Sequence, residues 1–265
     1  MRAIFLLIII NLILLSAAAD TVKYFVGGQI VLEDMVEGLA YEKQVFDDAG
    51  NMTSESAWDD KGKPDYLYNE THEVRYTYTG KNCTSATEWG VHGEPTADGK
   101  GIHRSEFTYD ERGNPTGEAY WGIHGEARAV SGGVHRSISV YDEKNRQISY
   151  REFNTAGEPL LDREGNSSYR SSYSEDGRTA TTEYFGVKDE PVLTTWGFHI
   201  VKSTSDQWDN VLEERYFGLT SEPVLNIWGY HCVRYTYDGN FNQTSAKYYD
   251  VNMNEITLPA EMGQK

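Results

Sequence analysis

Apolar and polar positions alternate along this chain in short runs, and the runs recur. In Arg104-Ser105-Glu106-Phe107-Thr108-Tyr109 the aromatic and polar residues take turns, the period-2 pattern of a half-buried strand. Asp110-Glu111-Arg112-Gly113-Asn114 follows with turn chemistry, since Asp bonds its own backbone and Gly or Asn accepts positive φ. A second strand is predicted from about Thr116 to Trp121. The same hairpin is predicted seven times, with turns around Ala49-Gly50-Asn51, Gly80-Lys81-Asn82, Gly113-Asn114, Lys144-Asn145, Asp176-Gly177, Asp209-Asn210 and Asn240. Between hairpins runs a connector such as Gly186-Val187-Lys188-Asp189-Glu190-Pro191-Val192-Leu193. Its Val-Leu pair, repeated as Val224-Leu225 and Leu160-Leu161, is expected to form a third short strand. Helix is expected only as one short turn near Val31 to Leu39.

The hairpins share a period. Trp89, Trp121, Phe153, Phe185, Phe217 and Tyr249 each stand 32 residues after the last, and Trp58 adds an earlier copy 31 residues before Trp89. Glu94-Pro95, Glu158-Pro159, Glu190-Pro191 and Glu222-Pro223 form a second column, with Glu126-Ala127 and Lys63-Pro64 as variants. A Gly-X-His column holds His103, His135, His199 and His231, is filled by Ser167 in one copy, and has His72 as its early equivalent. A Tyr-Asp column runs through Tyr109-Asp110, Tyr141-Asp142 and Tyr237-Asp238. A unit this small cannot bury its own apolar face, so neighbours must stack. The expected fold is all-β: seven tandem hairpin repeats in an open, solenoid-like stack, with a closed propeller-like ring as the alternative. Ordinary propeller blades need about 40 residues or more, which favours the open stack. A bond between Cys83 and Cys232 would instead argue for the ring, because an open stack holds them too far apart.

The ends and the composition set the address. Residues 1–19 read as a signal peptide: Arg2, an apolar run from Ala3 to Leu15, then Ser16-Ala17-Ala18-Ala19, with cleavage before Asp20. Residues 20–38 are expected to form an N-terminal cap segment, 39–257 the repeats and 258–265 a C-terminal tail. The mature chain is expected to be secreted, with no membrane insertion after cleavage. A net charge of −17 repels phosphate backbones and disfavours nucleic acid as a partner. Asn-X-Ser/Thr sequons at Asn51, Asn69, Asn82, Asn166 and Asn242 mark expected surface loops and candidate glycosylation sites.

Segments such as Tyr184-Phe185-Gly186-Val187-Lys188-Asp189-Glu190-Pro191-Val192-Leu193 and Tyr109-Asp110-Glu111-Arg112-Gly113-Asn114 give the repeat a family likeness. It resembles tandem repeats of large secreted or surface proteins of bacteria and is loosely similar to the Tyr-Asp repeats of the RHS family. The resemblance spans about residues 40–257. It implies a β-repeat fold and transfers no catalytic residue.

Candidate chemistry is sparse. The column histidines His103, His135, His199 and His231 are the metal candidates, yet one imidazole per repeat does not make the three or four converging ligands a site needs. A histidine bonding neighbouring backbone is the expected role; His92 and His124 form a second, two-member column. The repeated Glu-Pro carboxylates point to turns, since an active site is normally a single place. No nucleophile motif, phosphate loop or calcium loop occurs, so no catalytic residue and no cofactor is expected. The aromatic excess, 19 Tyr and 6 Trp, suggests recognition, with Trp196, Trp228, Trp89 and Trp121 as candidate ligand-binding residues. The expected function is non-catalytic binding of an extracellular glycan or other surface macromolecule through a repetitive face. The alternatives are a structural or adhesive matrix or coat protein acting by self-association, and a metal-binding protein or enzyme.

Overall fold

The computed structural model describes residues 21–258; the predicted signal peptide and most of the predicted tail lie outside them. Seven antiparallel hairpins follow one another in chain order. They pair Tyr41–Phe46 with Met52–Trp58, Glu73–Thr79 with Asn82–Trp89, Arg104–Tyr109 with Pro115–Trp121, and Arg136–Tyr141 with Gln147–Phe153. The last three pair Ser168–Tyr173 with Thr179–Phe185, Ile200–Ser205 with Val211–Phe217, and Cys232–Tyr237 with Gln243–Tyr249. The return strand of each hairpin also pairs with the outgoing strand of the next, as in Ser85↔Glu106 and Ser149↔Arg170. The result is one open antiparallel sheet of 18 strands.

Thr21–Val26 pairs with Gln29–Val31 on one side and Tyr41–Phe46 on the other, and so extends the sheet. The predicted turn near Val31 to Leu39 is a single 3-10 turn at Glu33–Met35. At the far end Glu255–Ile256 pairs with the seventh hairpin. No register joins this edge to Gln29–Val31, and Cys83 and Cys232 are both free thiols, as an open array requires.

The Val-Leu pairs do not form the expected third strand, although the first and last copies carry a two-residue strand just after the turn, Pro64–Asp65 and Glu255–Ile256. In its place the residue after the turn glutamate bridges the anchor aromatic, as in Phe185↔Pro191 and Phe217↔Pro223. The next amide then bonds back to the strand, as from Val192 N to Tyr184 O and from Val224 N to Tyr216 O. The copy with Ala127 in place of proline stops at the same bridge, and the connector then turns over the sheet.

The turns explain the repeat's polar columns. At the hairpin tip Asp110 Oδ1 accepts the amides of Arg112 and Asn114, and its Oδ2 accepts Asn114 Nδ2; the turn closes through Gly113 at φ 86°. After the anchor aromatic the same problem has two solutions. Where glycine stands there, at Gly90, Gly122, Gly186 and Gly218, the carboxylate four residues on folds over it, and Glu94, Glu126, Glu190 and Glu222 each accept the backbone N–H two residues before them. Where Asn154 stands there instead, its own Oδ1 accepts the amides of Ala156 and Glu158, and Glu158 is displaced to bond Asn154 Nδ2.

This pairing predicts a ranking at one position. A Cβ at Gly186 would overlap the Glu190 carboxylate. Gly186→Ala should therefore cost about 1 kcal/mol, the worth of the lost carboxylate cap. Gly186→Asn should be nearly neutral, because it converts the turn to the arrangement at Asn154. Urea denaturation of both variants checks this, and equal losses would refute the two-solution account.

The later part of each connector folds over one face of the sheet, here the core face; the other, here the open face, meets the turn just after the anchor aromatic, as where Asp189 pairs with Arg151 and Arg170. The residue before the histidine column dips toward the core: Thr71, Ile102, Asn166, Phe198 and Tyr230 are buried, and Val134 is half-buried. Buried apolar side chains gather at the two ends of the array. Phe198, Tyr216, Tyr230 and Val233 form the larger cluster, and Ala57, Leu67 and Val74 the smaller. Between them the core face carries Tyr120, Tyr150 and Glu152, and Tyr150 donates its hydroxyl proton to Glu152 Oε1 at 2.7 Å.

Candidate functional site

Strand alternation puts the anchor aromatics on the open face, where each meets a cation from the outgoing strand of its own hairpin. Arg75 lies 4.0 Å from the Trp89 ring centre, Arg104 5.7 Å from Trp121 and Arg136 4.4 Å from Phe153. Arg170 is 4.3 Å from Phe185, Lys202 5.2 Å from Phe217 and Arg234 4.9 Å from Tyr249. Six consecutive hairpins thus carry the same cation-over-ring pair. Successive pairs are two strands apart, roughly 10 Å at the usual strand spacing.

The cations remain open to water: the side chains of Arg75, Arg170 and Arg234 are 44%, 54% and 45% exposed. Several have partial counter-charges. Glu73 pairs with Arg75 at 2.7 Å, and Glu213 with Arg215 and Arg234 at 2.6 Å each. Burial alone would push the Glu213 carboxyl up, but the hydrogen bonds from both arginines hold it below the usual range. Asp189 is held low by Arg151 first and Arg170 second. Arg136 and Lys202 carry no ion pair among the described residues.

The four candidate tryptophans do not form one surface. Trp89 and Trp121 lie on the open face, but Arg75 and Arg104 lie over their rings, and their Nε1 protons go to Thr87 Oγ1 and Glu106 Oε2. A sugar ring cannot stack on a face a guanidinium already covers. Trp196 and Trp228 sit on the core face, 6.0 Å apart, packed against the Phe198, Tyr216, Tyr230 and Val233 cluster. They hold the connectors of the sixth and seventh repeats down and act as core.

The histidine column is structural throughout. His135, His199 and His231 are buried, and each turns a ring edge to an anchor aromatic, at 4.9 Å from Trp121, 5.6 Å from Phe185 and 5.2 Å from Phe217. His103 meets Trp89 at 6.1 Å. Their Nδ1 atoms face carbonyl oxygens of Thr96, Arg128, Val192 and Tyr216, which only accept, so Nδ1 carries the proton. Each imidazole stays in its own repeat, and no group of three or more potential ligands forms among the described residues.

The sequons divide by the same turn chemistry. Asn242 is exposed, while Asn69 and Asn82 are half-buried. Asn51 and Asn166 are not in open loops as expected: they are 8% and 4% exposed. Their Nδ2 atoms bond Asp47 Oδ2 and Asp162 Oδ2, so a glycan on either nitrogen would break the turn it closes.

No protein-family description matches the sequence, and no curated protein is similar to it. Among solved structures, a porin-like protein from Bacteroides uniformis is 12% identical over 89% of this chain and 91% of its own, with a TM-score of 0.34. The Tc holotoxin pore of Photorhabdus luminescens is 13% identical over 82% of this chain and 11% of its own, at 0.32. A TcdB2–TccC3 crystal structure is 11% identical over 84% and 13%, at 0.27. Similarity at these scores carries no argument about fold or function.

Proposed function

We propose that the protein is a secreted, non-catalytic binding module that holds an anionic extracellular polysaccharide along the open face of its sheet. One observation carries the reading: six consecutive hairpins present an exposed Arg or Lys over an aromatic ring. In a chain with net charge −17 such a row departs from the general balance. The ring fixes where each cation stands, and cations at regular spacing match a polymer with a charge on each repeating unit. Weak contacts in series then add through effective concentration. Each pair also shields a ring from water, at about 0.5–1 kcal/mol for an exposed pair, so the row contributes to packing as well.

The rival reading, a self-associating matrix or coat protein, meets an obstacle at the sheet edges. The edge strands Gln29–Val31 and Glu255–Ile256 are three and two residues long, short enough to discourage edge-to-edge pairing. Dextran sulfate and neutral dextran, which share a backbone, test the proposal. The protein should bind the sulfated polymer, more weakly as salt rises, and ignore the neutral one. Replacing Arg136, Arg170 and Arg234 with Gln should weaken binding by about tenfold or more, in a variant that stays folded and loses about 0.5–1 kcal/mol for each pair removed. Equal binding of both polymers, or an unaffected triple variant, would sink the idea.

A further inference from the structure

From the second repeat onward the fifth is the one copy without the column histidine, and the residue before that position is polar as well. Where other repeats place Ile102, Phe198 or Tyr230 and then a histidine, this one has Asn166 and Ser167. Both are smaller or more polar than what they replace. A cavity of about 250 Å³ opens at that point on the core face, walled by the rings of Tyr150, Tyr169 and Tyr184.

Three carboxylates line this cavity, those of Glu152, Asp162 and Glu164, beside the serine and tyrosine hydroxyls, and no lysine or arginine does. Asn166 and Ser167 are 4% and 6% exposed, and neither Asn166 Oδ1 nor Ser167 Oγ has a hydrogen-bond partner. The Asn166 amide is fixed in this orientation because its Nδ2 donates to Asp162 Oδ2 at 2.8 Å, which leaves Oδ1 as the atom without a donor. Leu160 lines the same wall; the carbonyls of its counterparts Thr96, Arg128 and Val192 each face a histidine Nδ1, and Ser167 brings no imidazole to this copy. A buried acceptor without a donor is destabilising, so such a cluster marks a place where a ligand supplies the donors.

We propose that this cavity binds a small primary alkylammonium. A protonated amine brings three N–H donors and no acceptor, matching Asn166 Oδ1, Ser167 Oγ and the Glu152 and Glu164 carboxylates. Its positive charge answers the carboxylates, and the tyrosine faces suit both the cation and a short alkyl chain. A water occupies about 30 Å³ of liquid, so the cavity has room for a diamine of a few carbons. This site lies on the core face and is independent of the cationic row on the open face.

The repeat itself supplies the control. Asn166→Val with Ser167→His restores the pattern of the fourth repeat, fills the cavity and gives the Leu160 carbonyl a donor. The probe is 1,4-diaminobutane, with 1,4-butanediol as its neutral counterpart, titrated against the full mature chain and followed by NMR of the Asn166 side-chain amide and by calorimetry. The diamine should saturate and the diol should not. The double variant should bind the diamine about tenfold more weakly or worse while melting at a higher temperature. Ser167→Ala, which keeps the cavity and removes one acceptor, should weaken binding several-fold by itself. No saturation with diamine, equal binding of the diol, or wild-type affinity in both variants would overturn the proposal.

Discussion

Phe198→Ala is expected to destabilise the protein by about 3–5 kcal/mol, the usual cost of emptying an aromatic site in a packed core. Phe198 is 2% exposed and lies 4.7 Å from Tyr216, 5.9 Å from Tyr184 and 6.2 Å from Trp196, ring centre to ring centre. It thus ties the connector of the sixth repeat to the return strands of the fifth and sixth hairpins. In an array whose repeats touch only their neighbours, the loss should stay local. Hydrogen exchange should show protection falling across Ile200–Phe217 and Cys232–Tyr249, while Glu73–Thr79 and Asn82–Trp89, which rest on the separate Val74 cluster, keep theirs. A uniform loss along the whole sheet would show the array to be one cooperative unit.

Alkali is expected to unfold the protein completely between about pH 10 and 12. Burial first, then the Glu152 carboxylate, pushes the Tyr150 hydroxyl up to about 12. Burial first, then Glu164 and Asp162, does the same to Tyr184. Tyr24 is also raised to about 12, by burial and its hydrogen bond to Glu33, and Tyr76, Tyr120, Tyr216 and Tyr235 are raised by burial in the first place. A folded hydroxyl with a raised value keeps its proton after the unfolded chain, titrating near 10, has lost it. The stability held below pH 10 is therefore drained as pH rises through the window up to 12, and many tyrosines drain it together. Tyrosinate absorbance and the far-ultraviolet strand signal should change in step. Tyrosines that ionise near pH 10 in an intact sheet would contradict this.

Much of the architecture is legible in the order of the residues. Arg104–Tyr109 is a strand with the bounds its alternation gives, because a half-buried strand writes its two faces into successive residues. The Tyr-Asp and Glu-Pro columns are turn chemistry, and local hydrogen bonds such as those of Asp110 are made within five residues, where spacing alone reveals them. The cationic row is hidden in the sequence for a definite reason. Arg104 and Arg136 are 32 apart, and so are Arg170, Lys202 and Arg234, but the two sets differ by two residues in register. A step of two keeps a side chain on the same face of a strand, so the structure shows one row where a fixed period shows two short ones.

The sequence by itself determined the repeat, the seven hairpins and their turns, because each depends on contacts between residues close in the chain or on a period that repeats them; the choice of an open array over a closed ring came with the structure. Tertiary structure alone decided which face the connectors cover. That choice packed the half-buried Trp196 and Trp228 against the core cluster and left guanidinium groups over Trp89 and Trp121. It also gave meaning to the break at Asn166 and Ser167, which in sequence is only a missing histidine. Alternation states that a strand has two faces; burial of one of them is settled by what folds over it, and those partners come from the next repeat.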